Sequence, residues 1–91
     1  MKDLINHQDA TIVDVRTVEE FSMGAADKSI NIPMDQVTSR LDEFKGMSKP
    51  LILCCASGNR SGQVARYLLS EGMEDVYNGG GWADVQDLLD N

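Results

Sequence analysis

Histidine, cysteine and positive charge are all scarce in this sequence. Its 91 residues include one histidine, His7, and two cysteines, Cys54 and Cys55, which are adjacent. With its only histidine in an unpatterned start, the chain supports no Ser-His-Asp arrangement, and His7 reads as a solvated surface residue. Consecutive Cα atoms lie ~3.8 Å apart, whereas an unstrained disulfide spans ~4.4–6.8 Å. No bridge between the two cysteines is expected, and a disulfide framework is excluded. Two thiols at this spacing and one distant imidazole give no zinc site either. Lys and Arg number 8 against 15 Asp and Glu, a net charge of −7. That balance argues against a general nucleic-acid binder, which needs a basic face, and against docking on anionic membranes. No run approaches the ~20 apolar residues of a membrane span. The first residues lack the apolar core of a signal peptide. The expected location is therefore cytoplasmic, or periplasmic if an export signal was removed upstream. The remaining composition, 42% hydrophobic with 8 Gly and 2 Pro, is that of a folded chain. Its length suits one domain over residues 1–91.

Strand and helix patterns alternate along the chain. Thr11-Ile12-Val13-Asp14-Val15 is short, apolar and β-branched, a buried strand. Thr17 and Glu20 have capping-box spacing at the start of a short helix, which Gly24 is suited to end. Ser29-Ile30-Asn31-Ile32 reads as a second strand stopped by Pro33. Val37, Leu41 and Phe44 predict an amphipathic helix ending near Gly46. Leu51-Ile52-Leu53-Cys54-Cys55 is the most apolar run and reads as a central parallel strand. After a polar loop, Val64, Ala65, Leu68 and Leu69 draw a helical stripe closed by Gly72. Val76-Tyr77 is a last short strand, Gly79-Gly80-Gly81 a turn, and Trp82, Val85, Leu88 and Leu89 the inner face of a terminal helix. The first ten residues show no strand pattern; a short helix packing Leu4 and Ile5 inward is the reading they allow. The alternation implies an α/β fold with a mostly parallel sheet.

Ligands of open parallel sheets bind beyond the carboxyl ends of the strands, and Cys55 stands at such an end. The loop behind it feeds a helix, whose unpaired amides and dipole stabilise a thiolate. Ser57, Gly58, Asn59 and Ser61 are small enough for the backbone to curl around the sulfur, and Gly58 takes positive φ freely. Such a cradle of amides suits an anion or a persulfide. Cys54 faces the other side of the strand and reads as a core thiol. Arg60 has two readings: it binds an anionic substrate, or it pairs with a carboxylate such as Asp14 or Glu20 and braces the loop. Trp82 reads as core packing or as a wall of the pocket.

Cys55-Ala56-Ser57-Gly58-Asn59-Arg60-Ser61 resembles the Cys-x-x-Gly-x-Arg loop of single-domain rhodaneses. Ile12-Val13-Asp14-Val15-Arg16 with Glu19-Glu20-Phe21 resembles that family's first signature, Ile30-Asn31-Ile32-Pro33 the segment after it, and Gly79-Gly80-Gly81 its late glycine turn. The resemblance spans nearly the whole chain. It implies a three-layer sandwich with a mostly parallel five-stranded sheet flanked by helices. It also implies sulfur transfer by Cys55, with Ala56 to Ser61 as the binding loop and Asp14, Arg16 and Glu20 in support. Donors would be thiosulfate or another small anionic sulfur compound, or a persulfide. Acceptors would be a thiol, cyanide or a sulfur-accepting protein. No metal or organic cofactor is implied. The chain departs from the family pattern in Ala25-Ala26 after Gly24, where a histidine is frequent. It departs again in Ala56, where relatives often carry a basic residue, and in its lack of an opening strand.

Two other functions compete. One is a non-enzymatic sulfur carrier or regulatory binding module. The other is a small cysteine phosphatase or arsenate reductase, whose loops are one residue longer than the four residues between Cys55 and Arg60.

Overall fold

The computed structural model describes residues 1–90. Helix α1 (Lys2–Ile5) precedes strand β1 (Thr11–Asp14), followed by α2 (Val18–Ser22) and β2 (Ser29–Asn31). Two 3₁₀ turns, Met34–Gln36 and Thr38–Arg40, lead into α3 (Leu41–Lys45). Then come β3 (Leu51–Cys55), α4 (Asn59–Ser70), β4 (Val76–Gly81) and α5 (Trp82–Leu88). The strands form one parallel sheet in the order β2-β1-β3-β4. This α/β architecture agrees with the sequence reading. The sheet has four strands among the described residues, not the five implied by the resemblance, because the residues ahead of β1 begin as helix α1.

Side chains alternate across β3 and divide the core into two layers. Leu51, Leu53 and Cys55 face a cluster with Phe44, Val64 and Leu68. Ile52 and Cys54 face a second cluster with Ile5, Val85 and Leu89. All five β3 residues are buried, as expected for an inner strand covered on both faces. Complete burial of a Leu or Ile side chain contributes about 1.5–3 kcal/mol, so β3 is the most firmly anchored segment.

Three local expectations are corrected. The segment carrying Val37, Leu41 and Phe44 is not one helix but two 3₁₀ turns and a single α turn. This winding still buries Val37 and Phe44. Leu69 is 47% exposed, and the buried face of α4 instead runs through Ser61, Gly62, Val64, Ala65 and Leu68. Gly79-Gly80-Gly81 is not a turn but the second half of β4. Its pairing with β3 shifts register between Leu53 and Cys54, so that Leu53 pairs with Asn78 and Cys54 with Gly80. Gly79 is the extra residue of this bulge. A Cβ there would lie 2.8 Å from Ile52 Cγ2 and 3.0 Å from Val85 Cγ2, so the core leaves room only for glycine.

Candidate active site

Cys55 ends β3 in the middle of the sheet, between the carboxyl ends of β1 and β4. Its side chain is 1% exposed. The chain turns at Gly58, whose φ of +95° is the left-handed conformation that glycine adopts without strain. A side chain at Gly58 would also meet Gly80 Cα at 3.1 Å. That turn aims the Gly58 amide at Cys55 Sγ, 3.0 Å away. The Ser61 hydroxyl lies 3.3 Å from the same sulfur. The loop opens directly into α4, a helix of 12 residues, whose amino end favours negative charge.

These contacts decide the acidity of the thiol. Burial pushes Cys55 up, but the Ser61 hydroxyl and the amides of Ser61, Ser57 and Gly58 outweigh it and bring the group down to about 7. A large fraction of Cys55 is thus thiolate near neutral pH. Cys54 points into the opposite layer, where burial first, then the Asp14 carboxylate, push it up to about 12. Both cysteines are free thiols.

Ala56, Ser57 and Asn59 lie exposed along the loop, while Ser61 is buried behind it. Arg60 pairs with Glu20, with Nη1–Oε1 2.7 Å and Nη2–Oε2 2.9 Å. Of its two readings, the structure shows the ion pair, and with Glu20 rather than Asp14. The Arg60 guanidinium, followed by Thr17, holds the Glu20 carboxyl down at about 2. Glu20 also completes the capping box of α2 with Thr17, so one carboxylate closes a helix and pins the loop.

Asp14 and Arg16 form a separate, buried brace. Arg16 Nη2 lies 2.7 Å from Asp14 Oδ2 and Arg16 Nε donates to the same carboxylate. Its remaining donors reach the carbonyls of Glu20 and Gly24. The guanidinium stacks 5.0 Å over the Trp82 ring, so Trp82 joins α5 to this brace as well as to the second core layer. Asp14 and Arg16 therefore position α2 and α5 around the site and do not touch the sulfur. His7 is exposed, as expected, and its Nδ1 accepts the Asp9 amide at 3.0 Å.

Sequence reasoning missed Asn78. Its Nδ2 donates to the Gly58 carbonyl at 2.9 Å, and its Oδ1 receives the Gly80 amide at 3.0 Å and lies 2.7 Å from Ser61 Oγ. The one available signal was its position directly ahead of a glycine run. A cavity of about 520 Å³ flanks the loop at Arg60, lined among others by Val15, Pro33, Met34, Asp35 and Thr38. No helix among the described residues is long and apolar enough to cross a membrane.

Comparison with known proteins is consistent across sequence and structure. The family model for the rhodanese-like domain matches residues 1–88. A rhodanese domain-containing protein of Drosophila melanogaster is 36% identical, over 97% of this chain and 95% of the relative. A protein named thiosulfate sulfurtransferase GlpE from Pseudomonas syringae is 31% identical, over 81% of this chain and 69% of its own length. The crystal structure of a rhodanese-like domain protein from Staphylococcus aureus superposes with a TM-score of 0.73 at 33% identity. It covers 92% of this chain and 80% of that one.

Proposed function

The chain belongs to the rhodanese-like domain family, and from that premise we propose that it is a sulfurtransferase with Cys55 as its nucleophile. The observation that carries the reading is the Cys55 sulfur held by the Gly58 amide and the Ser61 hydroxyl at the amino end of α4. A GlpE relative named thiosulfate sulfurtransferase supports the reaction type. The Cys55 thiolate attacks the outer sulfur of thiosulfate, a sulfur–sulfur bond forms, and the old one breaks with its electron pair leaving on sulfite. The persulfide then carries the negative charge on its outer sulfur, within reach of the loop amides. A thiolate or cyanide removes that sulfur and returns the Cys55 thiolate. Neither step transfers a proton from Cys55 once it is ionised, so no histidine base is required.

Two observations bear on substrate choice. Arg60 is committed to a bidentate pair with Glu20, whereas an arginine clamping a tetrahedral oxyanion keeps its donors for the anion. This disfavours the phosphatase and arsenate reductase readings. The neighbouring cavity combines Val15, Pro33 and Met34 with the Asp35 carboxylate, and its one cation, Arg60, is neutralised by Glu20. Such a wall suits a weakly charged persulfide donor or thiol acceptor better than a dianion, so thiosulfate is a donor of low affinity.

Mass spectrometry of the protein after exposure to thiosulfate, and separately to a low-molecular-weight persulfide, tests the proposal. The expected result is a gain of one sulfur at Cys55, lost on adding cyanide. No gain with either donor overturns it. Loading without repeated turnover identifies the non-enzymatic sulfur carrier instead.

A further inference from the structure

Ser61 has a single hydroxyl proton and faces two acceptors. Its Oγ lies 3.3 Å from Cys55 Sγ and 2.7 Å from Asn78 Oδ1. The Asn78 amide cannot turn to relieve this competition. Oδ1 accepts from the Gly80 N–H at 3.0 Å, and Nδ2 donates to the Gly58 carbonyl at 2.9 Å. Rotation would set two donors against each other at Gly80 and two acceptors at Gly58. Oδ1 therefore remains an acceptor toward Ser61, and the hydroxyl serves one neighbour at a time.

With Cys55 as a thiol, S–H donates to Ser61 Oγ while Ser61 donates to Asn78. With Cys55 as a thiolate, Ser61 must turn its proton to the sulfur and give up the shorter bond to Asn78. We propose that Asn78 is a positioning residue that acts through Ser61, competing with the Cys55 sulfur for the hydroxyl proton and so setting how readily Cys55 ionises. The inference rests on the reading of Cys55 as the reacting thiol. Once a second sulfur is attached, the negative charge moves to the outer atom. The inner sulfur then no longer needs the donor, and the Ser61 proton returns to Asn78. Asn78 thus opposes the free thiolate and favours the loaded state.

The charged and titratable groups on the elements packed around Cys55 are Arg60 on α4 with Glu20 on α2, Asp14 and Arg16 at the end of β1, and Cys54 on β3; Asp84 lies in the first turn of α5, beside Gly81. All are unchanged in the variants below, so their contributions cancel in the comparison.

The test is the pH dependence of iodoacetamide alkylation at Cys55, with the modified residue assigned by mass spectrometry. Asn78→Ala is expected to lower the midpoint by about half a pKa unit, a roughly threefold gain in thiolate below the midpoint. In a Ser61→Ala background the same substitution should leave the midpoint unmoved. A midpoint that is unchanged or raised by Asn78→Ala, or lowered equally without Ser61, overturns the proposal and leaves Asn78 as a brace for Gly58. Should Asn78→Ala fail to fold, Asn78→Asp gives the converse test. It keeps and strengthens the acceptor, so the midpoint should rise more with Ser61 present than in Ser61→Ala. Equal rises overturn the proposal. These readouts do not involve sulfur transfer, so they stand or fall separately from the persulfide experiment.

Discussion

Cys54 and Cys55 share a peptide bond, a strand and near-complete burial, but they face opposite layers of the protein. Cys54 lies among Ile52, Ile5 and Val85, its thiol has no hydrogen bond among the described residues, and it sits near the Asp14 carboxylate. Cys55 faces a layer that ends at a helix amino terminus, and its sulfur is met by an amide and a hydroxyl. One is pushed up to about 12 and the other comes down to about 7. Burial raises both. The difference comes from the donors around Cys55 and the carboxylate beside Cys54, and the donors are there because β3 ends at Cys55 and the chain curls back on itself. Burial of a thiol is therefore no measure of its reactivity; the direction in which its side chain leaves the strand is.

The largest expected effect breaks the pair apart chemically. Cys55→Ser should abolish persulfide formation while leaving the folded state intact. Cys54→Ser should retain most activity but place a hydroxyl in an apolar layer, at a cost of about 1–3 kcal/mol. Persulfide yield and denaturant midpoints check both, and a dead Cys54→Ser protein with normal stability would reverse the assignment.

A second effect is a separation in pH. Alkylation of Cys55 should accelerate as pH rises through about 7, while Cys54 stays unmodified until the protein unfolds. The same difference enters stability. The folded pKa of Cys55 lies below the ~8.5 of an unfolded thiol, so its ionisation stabilises the fold above that value. The contribution is lost as pH falls through about 7. Denaturation midpoints of the parent protein and Cys55→Ser between these pH values should converge toward the acid side.

The smallest effect concerns the rim. Ala56 is exposed beside Cys55, and Arg60, the cation of this loop, is held by Glu20. Ala56→Arg should lower the Michaelis constant for thiosulfate several-fold at low salt, an effect of about 1 kcal/mol at an exposed site. The gain should shrink as ionic strength rises. An unchanged constant at low salt would show that charge at the rim does not limit thiosulfate use.

The parts of the molecule legible in the sequence were those written locally. β1, β3, the capping box of Thr17 and Glu20, and the Cys55 loop each announce themselves within a few residues. The run from Val37 to Phe44 was misread because its apolar spacing is compatible with a continuous helix, whereas the chain winds through two 3₁₀ turns behind Pro33. The glycines of β4 were misread for a different reason. A glycine run ordinarily signals a turn, but here distant atoms demand it: Ile52 and Val85 crowd Gly79, and the Ala56 carbonyl would lie 2.8 Å from a Cβ at Gly81. Asn78 was invisible on the same account, since each of its contacts with Gly58 and Ser61 crosses from β4 to the loop. For Arg60 the sequence offers Glu20 and Asp14 alike as partners, and only the approach of α2 to the loop, 40 residues apart in the chain, selects Glu20.

Helix α2 contains no buried residue. It is fastened to the rest of the molecule through Glu20 to Arg60, and through the Glu20 carbonyl and the following Gly24 carbonyl to Arg16. A segment held by polar links and little apolar contact opens at a free energy well below that of global unfolding. The amides of α2 are therefore expected to exchange with solvent ahead of those of β3, which hydrogen-exchange mass spectrometry would read directly. Opening of α2 would detach Arg60 from its carboxylate and, for its duration, turn a neutralised rim into a cationic one.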